Sequence, residues 1–280
     1  MVSDALVSAE ISLPARPERV RVRERIAVLS EAVDIVGLTD NHAGLARMSP
    51  LAAVALAREQ GVATVVHVSC RDRNRLALQS QVVGAAALGS EGILCLQGDR
   101  VDGIPHVGDL TATRLIASAK AWAAPLEPAI GAVVNPFAAD QDRELRLLER
   151  KVEAGVDFLQ TQMIFDLDAL ARFLDRARDL LMGVRVFAGL ALLRDQAMAD
   201  RARALPGCLL PDRAYRRIGA GDGLRLAQEL AGELAALADV DGLHLFPLGA
   251  EAATRDVAAA FRAGRGVPTG RSWDVRTGDA

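Results

Sequence analysis

The sequence is poor in several features, and each shortage excludes a class of protein. Three cysteines in 280 residues are too few, and odd in number, for the disulfide framework of a secreted protein. No uncharged apolar run reaches the roughly 18 residues that a membrane-spanning helix needs, and residues 1–9 lack the basic region of a secretion signal. We therefore expect a cytoplasmic protein that is not anchored in a membrane.

The sequence also lacks an excess of either charge. It has 33 basic and 36 acidic residues, a net charge of −3, so no concentrated basic face for nucleic acid or an anionic membrane is expected. Only two of the basic residues are lysines, Lys120 and Lys151, and a retained lysine is of interest for that reason. Apolar residues make up 51% and charged residues 25%, which is typical of a globular domain.

Short apolar segments rich in β-branched residues recur along the chain, with helical patterns between them. Their starts are mostly about 27 to 37 residues apart, the length of one strand–helix unit. The interval before the last segment is longer and predicts an extra helix or loop. The eight segments are Val7–Leu13, Asp34–Thr39, Val62–Cys70, Gly92–Gln97, Ala129–Asn135, Asp157–Ile164, Val184–Leu192 and Gly242–Leu248.

Eight regular units predict a (β/α)8 TIM barrel in a single domain over 1–263, followed by a loosely ordered tail, 264–280. The segments are apolar without clean alternation, as parallel strands covered on both faces are. Gly61, Gly155 and Gly183 follow helical patterns and precede strands, where a left-handed helix cap belongs. An open doubly wound sheet is the alternative, but regular repetition favours closure.

Active sites of such barrels lie at the carboxyl ends of the strands. The polar residues expected there include no pair of nucleophile and base. His67 and Cys70 do not predict a metal site, because residues three apart on a strand face opposite sides. The segment Gly219–Gly223 lacks the spacing of a dinucleotide loop and is expected to be a loop before a helix. The candidates are Glu10, Thr39, Asp40, Asn41, His67, Gln97, Asp99, Asn135, Gln160 and Gln162.

Several of these residues have a structural alternative. Glu10 either pairs with an arginine of the barrel or, in an apolar strand, has a pKa raised by burial that suits a general acid. Asp99 either caps a helix or meets a ligand that Gly98 allows to approach closely. Gln162 can be a satisfied core amide and His67 a structural core histidine. The residues alone do not decide between these interpretations.

Five motifs in the expected order resemble the methylenetetrahydrofolate reductase family, from about Val7 to about Phe261. Glu10 corresponds to the glutamate of the first strand in that family. The other four motifs are His67-Val-Ser-Cys-Arg-Asp-Arg-Asn-Arg-Leu-Ala-Leu-Gln-Ser80, Leu96-Gln-Gly-Asp99, the segment Leu148–Gln162 with Phe165-Asp166, and Gly242-Leu-His-Leu-Phe-Pro247.

The resemblance implies reduction of 5,10-methylenetetrahydrofolate to 5-methyltetrahydrofolate, or the reverse oxidation. Glu10 would protonate the departing bridge nitrogen, and Asp99 would stabilise the cationic iminium. Gln162, with Asp99 and Gln160, would hold the pterin. The implied cofactor is FAD, reduced by NADH or NADPH. The implied flavin contacts are Thr39, His67, Gln97, Gly98, Asp99, Asn135, Arg150 and Lys151.

The sequence departs from the flavin-binding pattern of the better-known members. Leu147 stands where the family often has an asparagine, and 100–109 contains no aromatic residue. The segment Val134-Asn-Pro136 is more similar to the branch found in acetogens and in fusions with homocysteine methyltransferase. The resemblance therefore also allows weak flavin binding, or direct hydride transfer from the nicotinamide to the folate. For Lys151, a solvated helix face is the structural alternative.

Two other functions remain open at this point. One is a pterin-binding barrel for methyl transfer without redox chemistry, and the other is a reductase subunit that needs a redox partner. The sequence does not distinguish NADH from NADPH, does not define the direction of the reaction, and leaves a homo-oligomer open. No nucleic-acid partner and no membrane partner are expected.

Overall fold

The computed structural model describes residues 5–104 and 106–266. Eight parallel strands form a closed barrel in the order of the chain, so the predicted (β/α)8 barrel is confirmed. Every predicted apolar segment overlaps one strand, and only the first strand starts outside its segment, at Leu6. The strands are β1 Leu6–Ile11, β2 Ile35–Leu38, β3 Thr64–Ser69, β4 Gly92–Leu96, β5 Ala129–Val134, β6 Phe158–Met163, β7 Arg185–Ala191 and β8 Gly242–Phe246.

Helices surround the barrel, and three of them occupy the long interval before the last strand. Two single 3-10 turns, His42–Gly44 and Glu251–Ala253, lie in loops. The predicted tail, 264–280, starts too early, because the last helix continues to Arg265; the residues from 267 onward lie outside the described residues. The helices are α1 Arg19–Ser30, α2 Pro50–Arg58, α3 Arg75–Ala87, α4 Ala112–Ala123, α5 Gln141–Glu153, α6 Leu167–Ala177, α7 Gln196–Ala204, α8 Asp212–Gly219, α9 Gly223–Ala235 and α10 Thr254–Arg265.

Glycines end three of the helical segments as predicted. Gly61, Gly155 and Gly183 have φ angles of +68°, +89° and +82°, a left-handed conformation that costs other residues free energy. The segment between α8 and α9 is a short loop before a helix, also as predicted. Within the described residues, no helix is both long enough and apolar enough to cross a membrane.

Apolar side chains close the amino-terminal end of the barrel interior. The rings of Phe158 and Phe187 pack edge to face with centroids 6.0 Å apart. Glycines on the neighbouring strands make room for them, because a Cβ at Gly131 would lie 2.1 Å from the Phe158 ring and one at Gly242 would lie 2.6 Å from the Phe187 ring. Polar interior side chains therefore concentrate above this floor, toward the carboxyl ends of the strands.

Candidate active site

A group of buried polar side chains lies directly above the apolar floor. Side chains alternate along a strand, so Ser8 and Glu10 of β1 both face the interior, and Ser8 pairs in register with His244 of β8. His67 of β3 and Gln160 of β6 complete the group, and both are buried. A cavity of about 10 Å³, roughly the room of one water molecule, lies between the apolar floor and the side chains of Ser8, His67, Gln160 and His244.

Glu10 contacts imidazole groups rather than a guanidinium. Its Oε2 lies 3.6 Å from Nε2 of His244, and Nδ1 of the same ring lies 2.8 Å from the Ser8 hydroxyl. Among the described residues no arginine pairs with Glu10, so the alternative of a barrel arginine is wrong. His244 lies within the motif of the eighth strand, but local sequence does not identify it as a site residue, because its partner is distant in the chain.

Gly37 on β2 allows His67 to approach Glu10. A Cβ at Gly37 would lie 3.3 Å from Nε2 of His67 and 3.3 Å from Cβ of Glu10, closer than most real Cβ contacts. The ring and the carboxylate thus approach each other across the strand that separates β1 from β3. A glycine at this interior position is part of the site, although the sequence analysis did not single it out.

The expectation that the pKa of Glu10 is raised is wrong. Burial alone raises the pKa of this carboxyl group. The contact with His244 and the charges of His67, His244 and His42 act in the opposite direction, and the net shift of the Glu10 pKa is downward. The expectation considered only the apolar strand and did not include imidazoles from other strands.

His67 is an interior histidine that stays neutral near pH 7. Burial lowers its pKa from 6.5 to about 4, although the charges of Glu10 and Asp40 act to raise the pKa. Its Nε2 has no hydrogen-bond partner among the residues that the structure describes. The ring therefore presents a buried, uncompensated polar atom to the interior.

A buried arginine ties together the loops that follow β2, β3 and β4. Arg71 is 3% exposed and donates to the carboxylate of Asp72 at 2.7 Å, to the carbonyl of Asn41 at 2.8 Å and to the carbonyl of Asp99 at 3.4 Å. The hydrogen bond to Asp72 raises the pKa of Arg71. Arg71 thereby holds the backbone of Asp99. This role was not predicted, although Arg71 lies in the charged segment after β3.

A second buried pair fixes the start of the loop after β2. The Asp40 carboxylate accepts the backbone N–H of Ser69 at 2.9 Å and a guanidinium hydrogen bond from Arg73 at 2.9 Å. Because both charges have partners, Asp40 supports the loops and is not a free group of the site.

Gly98 and Asp99 lie just beyond β4. Gly98 has φ +78°, and a Cβ there would lie 2.3 Å from the Ser69 hydroxyl, so packing within the protein already requires glycine. Asp99 is exposed, and its carboxylate accepts no hydrogen bond from the described residues. The helix-cap alternative for Asp99 is wrong, because Thr111 caps α4 by accepting the backbone N–H of Arg114.

A β-bulge on β6 displaces Gln162 from regular register, whereas Gln160 still pairs in register with Phe187. The pairing with β7 shifts between Gln160 and Met163, and there the Thr161 hydroxyl accepts the backbone N–H of Gly189 at 2.8 Å. Gln162 is half-buried, and its side-chain carbonyl accepts the N–H of Met163 at 2.9 Å. The amide NH₂ of Gln162 has no partner among the described residues, so this side chain retains a donor for a ligand.

No metal site accompanies these groups in the described part of the chain, where three potential metal-binding side chains never cluster. The cysteines there are free. Burial raises the pKa of the Cys70 thiol to about 11, so this cysteine is an unreactive core residue at neutral pH.

The model of the methylenetetrahydrofolate reductase family matches residues 2–261. The chain belongs to this family. Methylenetetrahydrofolate reductases are oxidoreductases, and this protein is one of them. The match does not separate branches within the family, so the similarity to the acetogen-type and methyltransferase-fused branch stays a prediction.

Solved structures share the fold of this reductase at low sequence identity. A tryptophan synthase from M. tuberculosis has 16% identity and a TM-score of 0.56, with 92% of this chain and 93% of the other covered. A 2,3-dimethylmalate lyase has 13% identity and a TM-score of 0.51, with 93% and 79% covered. At these identities the likeness concerns the barrel alone.

The family-implied flavin contacts of this reductase are mostly engaged within the protein. The Thr39 hydroxyl donates to the carbonyl of Ile11 at 3.0 Å, and the Gln97 side-chain carbonyl accepts the N–H of Ala112 at 3.1 Å. Arg150 is exposed and bonds only within its own helix. The NH₂ group of Gln97 has no partner among the described residues, as at Gln162, so Gln97 also retains a donor.

Asn135 and Lys151 are engaged in the same way. The Asn135 side-chain carbonyl accepts the N–H of Phe137 at 3.0 Å. The Lys151 ammonium is buried behind β5, where it donates to the carbonyl of Val133 at 2.7 Å and lies 4.0 Å from Glu144; the alternative of a solvated helix face is therefore wrong. Burial lowers the pKa of Lys151. Of the residues that would hold a flavin, Thr39 and Lys151 use their donors within the protein.

Proposed function

We propose that this reductase converts 5,10-methylenetetrahydrofolate to 5-methyltetrahydrofolate with hydride delivered directly by a reduced nicotinamide. The observation that carries the proposal is the Glu10 carboxylate at the mouth, which has imidazole neighbours and no arginine. The pKa of Glu10 is shifted downward, so its carboxyl group is ionised at pH 7 and takes up a proton before it acts as the acid, whereas a guanidinium partner would hold it as a permanent anion. We place the reaction in the cytoplasm, because the described cysteines are free.

Glu10 is the general acid of this mechanism. Opening of the five-membered ring breaks the bond between the bridge carbon and one nitrogen, and the electron pair stays on the departing nitrogen. The proton of the Glu10 carboxyl group binds that nitrogen as the bond breaks, which avoids an unstable amide-type anion. The product of this step is a cationic iminium at the other nitrogen.

Asp99 and Gln162 act on the pterin and the cation. The exposed Asp99 carboxylate, with its backbone held by Arg71, stabilises the iminium electrostatically. The free NH₂ of Gln162 donates to the carbonyl edge of the pterin, and the buried Gln160 supports the same wall. Both roles require side-chain groups that the protein has left without partners of its own.

Hydride then passes from the nicotinamide to the iminium carbon, which becomes the methyl group, and the nicotinamide is oxidised. We favour direct transfer over transfer through FAD because the Thr39 hydroxyl and the Lys151 ammonium donate to carbonyls of the protein itself. Oxidation of methyltetrahydrofolate uses the same groups in reverse.

The test is anaerobic oxidation of NADH or NADPH by the purified protein, dependent on methylenetetrahydrofolate, with and without added FAD. Turnover that FAD does not change is the expected result. Turnover that requires FAD would retain the reaction and overturn direct transfer. No turnover in either condition would contradict the activity of the isolated chain and favour a subunit that needs a redox partner.

A further inference from the structure

A cleft between the outer helices contains groups that the proposed reaction does not use. It lies between the loop after β5, the start of α5, the first turns of α6 and the segment that joins α7 to α8, and its volume is about 390 Å³. Pockets that bind small molecules have volumes of about 300 to 1,000 Å³. None of Glu10, Asp99 and Gln162 lines this space, which we call the α6 cleft.

The α6 cleft is cationic. Arg172 and Arg176 of α6 both line it, and side chains four residues apart lie on one face of a helix, with Cβ atoms about 5 to 6 Å apart. Arg172 makes no hydrogen bond or ion pair with the residues that the structure describes. Arg176 bonds to Asp142 at 2.5 Å, but the Asp142 side chain is 73% exposed, and such surface pairs contribute little. No acidic residue is among the described residues that line the cleft, so both guanidinium groups can bind an anion.

The rest of the lining is mostly apolar. Leu209 is 40% exposed and lines the cleft together with half-buried Phe137 and buried Phe173. Burial of an exposed apolar side chain is favourable, and a ligand that brings its own apolar group would cover Leu209. The cleft therefore combines two cationic groups with an apolar surface.

The protein holds the α6 cleft in shape by itself. The Gln141 side-chain amide donates to the carbonyls of Pro136 at 2.6 Å and Ala138 at 3.4 Å, which fixes the loop after β5. The segment between α7 and α8 packs on the end of β5, because a Cβ at Gly207 would lie 2.0 Å from the side-chain nitrogen of Asn135. Binding to such a preformed cleft costs little ordering of loops.

We propose that the α6 cleft is a second binding site, for an organic anion that carries carboxylate groups beside an aromatic or aliphatic part. A guanidinium group forms paired hydrogen bonds with a carboxylate, and two guanidinium groups one turn apart suit a dicarboxylate such as a glutamate end. The apolar part of the ligand covers Leu209 and Phe137. Two sources share this chemistry: the p-aminobenzoylglutamate end of a folate whose pterin lies at the mouth, and a separate carboxylate metabolite.

Calorimetric titration with p-aminobenzoyl-L-glutamate tests the site without turnover. We expect binding that weakens with salt, becomes about tenfold weaker in Arg172→Gln and is lost in Leu209→Glu, which adds a negative charge to the cleft. The neutral compound 4-aminobenzamide, which has the ring but no carboxylate, should not bind. Both substituted residues are exposed, so the variants should fold. The control is Arg213→Gln, an exposed arginine of α8 outside the cleft, which should keep the original affinity.

Absence of binding to the unaltered protein, or equal affinity in Arg172→Gln and Arg213→Gln, would overturn the proposal. A second titration, on protein saturated with tetrahydrofolate, identifies the source of the ligand. If the folate end occupies the cleft, p-aminobenzoyl-L-glutamate no longer binds; if the cleft takes a separate anion, the affinity is unchanged. Either result supports the site once Arg172→Gln has lost affinity, and neither depends on the proposed reductase reaction.

Discussion

Two walls of the same barrel differ in whether their polar side chains are free. On the wall formed by β8 and β1, Glu10 and His244 face each other at 3.6 Å, and the hydrogen-bonding capacity of both groups is incompletely used. At the ends of β4 and β5, Gln97 and Asn135 each accept a backbone N–H from the following loop. Residue types alone would predict a ligand at both walls.

The difference shows that a retained side chain is not the same as a free functional group. A polar group that bonds to its own backbone must break that bond to reach a ligand, and an unpaired buried acceptor costs about 1 to 3 kcal/mol. At the wall of β8 and β1 that cost is already present in the folded state. The first wall therefore has unpaired groups that proton transfer can use, whereas at the second wall the fold uses the side-chain carbonyls of Gln97 and Asn135 and leaves their NH₂ groups free.

Glu10→Gln should produce the largest effect on the first wall. We expect kcat to fall about a thousandfold, because the amide has no proton to give and general acid catalysis contributes factors of this order. Binding of the nicotinamide, followed by its fluorescence, should persist. The matched control is Glu91→Gln, a half-buried glutamate next to the amino end of β4. Normal turnover of Glu10→Gln would remove Glu10 as the acid.

His67 should make stability depend on pH. Its folded pKa of about 4 lies below the ordinary 6.5, so between these values the unfolded chain binds more protons than the folded one. Stability should fall as pH drops from 6.5 to 4, by about 3 kcal/mol from this group. Urea unfolding at pH 7.5 and pH 4.5 measures the change.

Comparison with variants isolates the contribution of His67. In His67→Gln the fall in stability between the two pH values should be smaller by about 2 to 3 kcal/mol. His106→Gln removes an exposed histidine and should leave the fall unchanged. Equal pH dependence in His67→Gln and in the unaltered protein would show that this ring titrates normally in the folded state.

Asp99→Asn tests the loop that joins β4 to the mouth. Loss of the negative charge should reduce kcat about a hundredfold, because stabilisation of a developing cation has this size. The melting temperature should not change, since the carboxylate is exposed. Asp102→Asn, at an exposed position of the same loop, provides the comparison for general charge effects. Equal kcat values for the two variants would place the stabilising charge elsewhere.

Lys151→Met should have the smallest effect on activity. It tests whether a polar group at the second wall serves stability rather than catalysis. We expect stability to fall by about 1 to 3 kcal/mol, because the carbonyl of Val133 loses its buried donor, while kcat changes less than twofold. Lys120→Met removes the other lysine, which pairs with Asp157 at the surface, and should cost below about 1 kcal/mol. A large loss of kcat in Lys151→Met that added FAD restores would support a flavin at the second wall.

The strand segments and helix caps could be predicted because they depend on local pattern. Eight apolar segments each overlapped a strand, and Gly61, Gly155 and Gly183 ended helices through their own left-handed conformation. Closure into a barrel followed from regular spacing. Burial of Glu10 in an apolar strand was also readable, but the direction of its pKa shift was not.

The sequence by itself determined the barrel, the family and the strand ends at which polar groups occur, because repeat length, periodicity and motif order are properties of the chain. Tertiary structure alone decided which of those groups are free. His244 is separated from Glu10 by most of the chain, Lys151 finds its acceptor on a neighbouring strand, and Arg71 joins three loops. Hydrogen bonds and electrostatics depend on distance in space, and barrel closure sets those distances.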